Sequence, residues 1–388
     1  MPSNSVIFDP TQINLDIDST LQTQAWRQSQ SLSTPSSRWN GYLNLLCLNT
    51  ILPWLREDYD PQIEPALSAS SLLSIWEIVN GVPITLGSNR LILIPTESID
   101  LDEIRIPQEW VDIPAWIGDY YVFVQVNPDD GWVRIAGFTC HRRLKQEGRY
   151  DWRDRTYSLD DSDWIADLNV LWVSRQLHPE EATRTAVPTL DALSLAQANN
   201  LIQRLGDPTT PNPRLSLPFH QWGALVSHGG WRQRLAESRW GWQVQGTVLQ
   251  WLQTGVTNFA EQIGWGRMEF QPGLSAARGD EEPTTAIALS RQLRIAGQPY
   301  ELRIRPLDGD NGRAWRFELQ NLTPGGLIPA GFVLRLLTED LQPFEGNEDT
   351  ADRAVEQLYI EVALDPGEGI VWEIEPIPNQ YDQEILRF

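Results

Sequence analysis

Cysteine, methionine and histidine are scarce in this chain of 388 residues, with 2 Cys, 2 Met and 4 His, and Lys145 is its one lysine. Each scarcity excludes something. Cys47 lies in an apolar helical run and Cys140 at a strand end, so the pair argues against a disulfide framework and for a reducing compartment. Four histidines leave little material for zinc. Cys140 and His141 are chain neighbours, which point to opposite faces of a strand, and His220 and His228 have no third ligand in view. No stretch approaches the ~18 apolar residues that a membrane helix needs. The opening MPSNSVIFDP has neither a basic nor an apolar leader region. The expectation is a soluble, cytoplasmic protein without a membrane partner. Positive charge is short as well: 30 basic residues face 52 acidic ones, a net charge of −22. A DNA duplex carries a phosphate every ~1.7 Å and such a surface repels it, so nucleic acid is excluded as a partner. A basic protein, a cation or a neutral ligand fits better, although acidity also serves solubility alone.

Catalytic and cofactor motifs are missing too. There is no nucleophile elbow, P-loop or dinucleotide fingerprint. Gly325-Gly326 and Gly367-Glu368-Gly369 stand between strands with no helix after them, which makes them turns. Asp308-Gly-Asp-Asn-Gly312 resembles the start of a calcium loop. Arg313 and Leu319, however, occupy the places of the required glycine and glutamate, so a hairpin turn explains it better. No cofactor is implied, and the chain reads as a non-enzyme.

What is present is pattern. YELRIR (300–305), WRFELQ (315–320), LYIEVAL (358–364) and IVWEIE (370–375) alternate apolar and charged residues, the mark of half-buried antiparallel strands. The first two form a hairpin around Asp310-Asn311. Charge sets its register: Arg303 opposite Glu318 avoids the like-charge pairs that the alternative, Arg303 opposite Arg316, would create. Near the other end, Ser19 and Gln22 look like a capping box for a helix through Leu21, Ala25 and Trp26. A break at Thr34–Ser37 precedes a second helix, about Arg38 to Leu55, which Pro53 should kink or end. Trp26, Trp39, Leu43, Leu46 and Trp54 are expected to pack as a core. Strands are expected at SIWEIV (74–79), LILIPT (91–96), YYVFVQV (120–126) and WVRIAGFT (132–139), the last two joined at Asp130-Gly131.

His178 to Pro218 is rich in proline around one helix, Leu190 to Leu205, and reads as a partly packed connector. Six of 18 tryptophans (222, 231, 240, 242, 251 and 265) fall in the next segment. There Gln250, Trp251, Leu252 and Phe259 suggest a helix laid over another domain. GDEEPTT (279–285) is an acidic linker. The expected fold class is α+β: an α+β domain over 1–178, the connector over 179–218, a Trp-rich and mainly helical segment with the linker over 219–283, and a β-sandwich over 284–388.

Charge is uneven. From Leu336 to Phe388 fourteen acids face Arg353 and Arg387, and 29 of the 30 basic residues of the whole chain are arginine. Arginine is a planar, always-charged fork suited to carboxylates, and genome composition gives the same bias. Glu345, Glu348, Asp349 and Asp352 crowd into FEGNEDTADR as a candidate site for an arginine-rich partner or a cation. A solvated loop opening a short helix, whose early acids favour the N-terminal dipole, accounts for them more simply.

Three segments carry a resemblance: RWNGYLNLLCLNTILPWL (38–55), LPFHQWGALVSHGGWRQRL (217–235), and LTPGGLIPAGFVLRLLTEDLQPFEGNED with GEGIVWEIEPIPNQYDQEILRF (322–349 and 367–388). Together they resemble an uncharacterised cyanobacterial family, domain of unknown function 1822, across nearly the whole chain. The family brings no catalytic motif to transfer. Its genes often lie beside those of sigma factors and of signalling proteins with sensory or caspase-like domains. The resemblance thus implies a regulatory adaptor acting through a protein partner, with an anti-sigma-like role as its sharpest form. Two other readings stand: an enzyme with carboxylates and arginines at a domain junction, and a sugar- or ligand-binding sandwich.

Overall fold

The computed structural model describes residues 12–242, 246–256, 261, 263–270, 286–307 and 313–388. The α+β expectation holds. A six-stranded sheet runs in the order Ile13–Asp16, Trp132–Cys140, Tyr120–Asn127, Asn89–Thr96, Val82–Leu86, Glu64–Pro65. Its neighbours are antiparallel except Asn89–Thr96 with Tyr120–Asn127, which are parallel. Tyr120–Val126 is buried at every position, because both faces of this strand are covered. The hairpin at Asp130-Gly131 forms: Gly131 takes a positive φ of 71°, and Asn127 accepts its N–H at 3.0 Å.

The long helix Pro35–Asp58 lies on this sheet. The expected break before it is its cap: Thr34 accepts from the Ser37 N–H, Ser37 returns the bond, and Pro35 takes the first turn. Cap residues and loop residues are the same types, which is why the sequence alone reads as an interruption. The helix also continues through Pro53. Pro53 and Asn49 both face solvent, so water can take up the carbonyl that the proline leaves unpaired. The first helix, Ser19–Ser29, is capped by Asp18 rather than opened by a box at Ser19.

Two further expectations are corrected. SIWEIV is no strand: Ala69–Trp76 is a helix capped by Ser68. Leu72, Ile75, Trp76 and Val79 recur at helical spacing and are all buried, a signal that the shorter window 74–79 hides. Leu43 and Leu46 are core residues, but Trp26 and Trp39 are 47% and 37% exposed. At the rim Trp26 packs edge-on against Trp39 and Tyr42, and Trp39 lies tilted against Tyr42. The Trp39 indole gives its N–H to Glu97, which holds it at the surface.

The C-terminal half is a sandwich of two antiparallel sheets. One runs Trp265–Phe270, Ala286–Ile295, Gln298–Pro306, Ala314–Asn321, Gln357–Ala363; the other runs Glu348–Thr350, Val333–Thr338, Gly369–Glu375, Ile385–Arg387. The predicted register is observed, with Arg303 opposite Glu318, Leu302 opposite Leu319 and Arg305 beside Arg316. The Arg303 guanidinium nevertheless pairs along its own strand, with Glu301 at 2.5 Å. The turn residues Asp310-Asn311, the linker 279–285 and Phe259 lie outside the described residues.

Two hydrophobic cores result. The second fills the sandwich and includes Val248, Trp251 and Leu252 of the helix Val248–Thr254, which covers the C-terminal half as anticipated. The first extends well beyond the N-terminal sheet. It takes in Ala198, Leu201, Ile202 and Leu205 of the helix Leu195–Leu205, then Trp222, Leu225, Trp231 and Leu235, and finally Leu337, Val371 and Ile385 of the sandwich. The four-stranded sheet is therefore covered on both sides: Ile370, Trp372 and Ile374 face the second core and Val371 the first. IVWEIE is accordingly more buried than simple alternation predicts. No described helix is long and apolar enough to cross a membrane.

Candidate functional site: a cleft held by middle-segment arginines

The acidic quartet does not come together. Glu348 and Asp349 sit on a short strand, Glu348–Thr350, where no helix forms, and neighbouring side chains there point apart. Glu348 accepts from Arg335 at 2.7 Å, and Asp349 accepts the Tyr359 backbone N–H at 2.8 Å. Glu345 and Asp352 are exposed. Among the described residues no three His, Cys, Asp or Glu side chains converge as a metal ion would require. Cys47 and Cys140 are free thiols.

The ordered charge lies elsewhere. Five arginines between 184 and 239 each take a carboxylate from one of the flanking halves. Arg184 grips Asp119 with two bonds of 2.9 and 2.6 Å, joined by Thr183. Arg214 forks onto Glu109 at 2.9 and 2.6 Å. Arg239 reaches Glu77 at 2.8 Å. Toward the C-terminal half, Arg232 pairs with Asp382, and Arg234 with Glu339. The side chains of Glu77 and Glu109 are both 0% exposed. An ionised carboxylate there survives only when its lone pairs are filled. The tryptophans help to fill them: Trp222 donates to Glu109 at 2.8 Å and Trp240 to Glu77 at 2.9 Å. At Asp119 burial opposes the charge, but the bonds from Arg184 and Thr183 outweigh it and hold the carboxyl below its ordinary range. Residues 179–218 are thus tied to the N-terminal half at Thr183, Arg184 and Arg214, although most of the stretch stays exposed. The Thr185 N–H also bonds His141 Nδ1 at 3.1 Å.

The contact with the sandwich is close. His228 accepts the Trp231 backbone N–H on Nδ1 at 3.2 Å, so its proton sits on Nε2 and is donated to the Glu339 carbonyl at 3.0 Å. Burial, with Arg232 nearby, pushes the His228 pKa down to about 4. Gly229 and Gly230 begin the next helix where the chain 382–385 lies against it. A Cβ on Gly229 would overlap the Asp382 carboxylate and the Gln383 carbonyl, and one on Gly230 the Ile385 side chain. The SHGGWRQRL stretch of the family-like segment 217–235 is the motif of this junction.

Between the halves this clamp leaves a cleft of about 490 Å³. Trp110, Trp116 and Trp231 provide apolar walls, and Arg90 reaches it from the N-terminal sheet. Asp191 of the connector and Asp340 and Asp382 of the sandwich add carboxylates. This is the size of a pocket for a small molecule or a short peptide. None of its lining was expected as a site, because the residues come from segments far apart in sequence.

A second cluster of acid–base side chains is satisfied internally. Lys145 donates to Asp112 at 2.8 Å and to the Tyr157 hydroxyl at 2.6 Å, while Tyr157 and Gln108 donate to the other oxygen of Asp112. Burial and the Asp112 charge push the Tyr157 hydroxyl far above its usual range, so it stays protonated. Such a closed network braces the small sheet of Glu103–Pro107, Thr156–Asp160 and Arg149–Asp151.

Compared with known families, residues 15–387 match the model described as protein of unknown function (DUF1822). Neither the curated proteins nor the solved structures contain a match.

Proposed function

The chain belongs to the DUF1822 family, and from that premise, which brings no activity with it, we propose a non-enzymatic adaptor that binds a segment of a partner protein in the cleft between its halves. The supporting observation is the cleft itself, apolar on its tryptophan walls and lined with carboxylates from the connector and the sandwich. An apolar side chain of the partner loses water against the tryptophans, and a basic neighbour meets Asp191 or Asp340. A cleft that combines aromatic walls with charged groups is a common recognition pattern. With a net charge of −22 the protein also draws basic partners over distance. The setting proposed is cytoplasmic signalling or transcription control, with an anti-sigma-like role as the sharper form by analogy with the family.

The same cleft favours a second reading, because Arg90, Asp191, Asp340 and Asp382 meet at a domain junction as an enzyme site would. The sugar-binding reading is weaker, since Trp265, Trp315 and Trp372 of the sandwich are buried and none of the three is free to stack on a sugar ring. Affinity purification from the native host, using the wild type and Ala192→Trp, tests the proposal. Ala192 is exposed at the cleft, so the larger side chain obstructs it at little cost to the fold. A protein partner retained by the wild type and lost by Ala192→Trp is expected. A partner held equally by both moves the interface elsewhere, and a solitary protein that turns over a metabolite favours the enzyme.

A further inference from the structure

The polar groups of the cleft narrow the occupant, given the adaptor reading above. We propose that the bound segment is a chain end whose terminal carboxylate is received by Arg90 and the indole N–H of Trp231. Arg90 differs from the five clamp arginines. Its guanidinium donates to the Ala115 carbonyl, and among the described residues it forms no ion pair. Asp119, the nearby acid, is engaged by Arg184 and Thr183, and it accepts only the backbone N–H of Arg90, at 2.7 Å. Burial and the neighbouring Arg184 disfavour the Arg90 charge, Asp119 offsets part of this, and an incoming anion would offset more. Trp231 is 3% exposed, lines the same cleft, and its buried N–H has no acceptor among the described residues. A buried donor without an acceptor calls for an explanation, and at the edge of a cleft a ligand oxygen supplies one.

A carboxylate is the group that takes charge-assisted bonds from a guanidinium and also accepts from an indole N–H. The acids of the lining decide which carboxylate. Asp191 and Asp340 repel an acidic segment, so an anion that reaches Arg90 arrives on a neutral or basic one. The carboxylate that every such segment carries is its own terminus, and capture of chain ends is an established recognition mode.

The test uses two pools of N-acetylated random tetrapeptides, one of free acids and one of amides, presented to the full chain. The wild type is expected to retain the free-acid pool at least tenfold better. Arg90→Gln should abolish that preference with an unchanged thermal midpoint, and Arg90→Lys, which keeps the charge but not the fork, should weaken it. Equal retention of the two pools, retention of amides only through Asp or Glu side chains, or no retention of either pool would overturn the proposal. The comparison of wild type with Ala192→Trp on the host partner decides the adaptor reading separately.

Discussion

The middle-segment arginines and the acidic loop 345–352 handle charge in opposite ways. Arg184, Arg214, Arg232, Arg234 and Arg239 reach carboxylates in both flanking halves, and the acids they grip are mostly withdrawn from water. Glu348 of the loop pairs with Arg335, thirteen residues away, at an exposed edge. The first set determines which segments lie together, because a buried acid tolerates only the partner that completes its bonds. The second is local and screened by salt. Charge density along the sequence therefore points to the wrong place: the acid-rich tail is conspicuous, while the ordering charges are single arginines dispersed through a proline- and tryptophan-rich stretch.

The sharpest way to break this contrast is to remove one arginine. Arg239→Met leaves Glu77 buried and unpaired and should cost about 3–5 kcal/mol in urea unfolding, whereas Glu348→Gln should change stability by less than about 1 kcal/mol. A loss at Glu348 as large as that at Arg239 would erase the distinction.

The junction responds to acid. Between about pH 4, the folded pKa of His228, and its ordinary ~6.5, the unfolded chain holds a proton that the folded chain does not. Stability contributed by this residue is thus present above pH 6.5, falls as the pH drops through that window by about 3 kcal/mol, and levels off below it. Urea titrations from pH 7 to 4 on the wild type and His228→Gln should show a slope that the variant lacks in part.

Next in size is the double glycine. Gly229→Ala pushes a methyl group into the Asp382 carboxylate and the Gln383 carbonyl and should cost about 1–3 kcal/mol, as overpacking does. Increased hydrogen exchange at 381–385 would locate the damage at the junction. The tryptophans give the same contrast in apolar burial. Trp222→Ala should cost about 3–5 kcal/mol as a buried aromatic, while Trp39→Ala, at the rim with 37% exposure, should cost about 1–2 kcal/mol.

These contrasts explain what was legible in the chain. Strands such as Ala314–Asn321 bury one face against a single core, so alternation and register could be read directly. Leu72, Ile75, Trp76 and Val79 keep a helical spacing, but the stretch 74–79 taken alone shows too little of it and hid the helix Ala69–Trp76. Thr34 and Pro35 resembled a loop because caps use loop residues. The family was legible from long segments, including the glycines at the junction. The cleft was not, since Arg90, Trp116, Asp191, Trp231 and Asp340 share no spacing and meet only when the clamp closes.

Hydrogen–deuterium exchange on the chain with and without the partner recovered from its host tests the adaptor account most directly. Protection should appear together at the connector 190–193, at 227–231 and at 340–342, and should be lost in Ala192→Trp. Protection confined to the acidic loop 345–352, with the cleft segments unchanged, would contradict it.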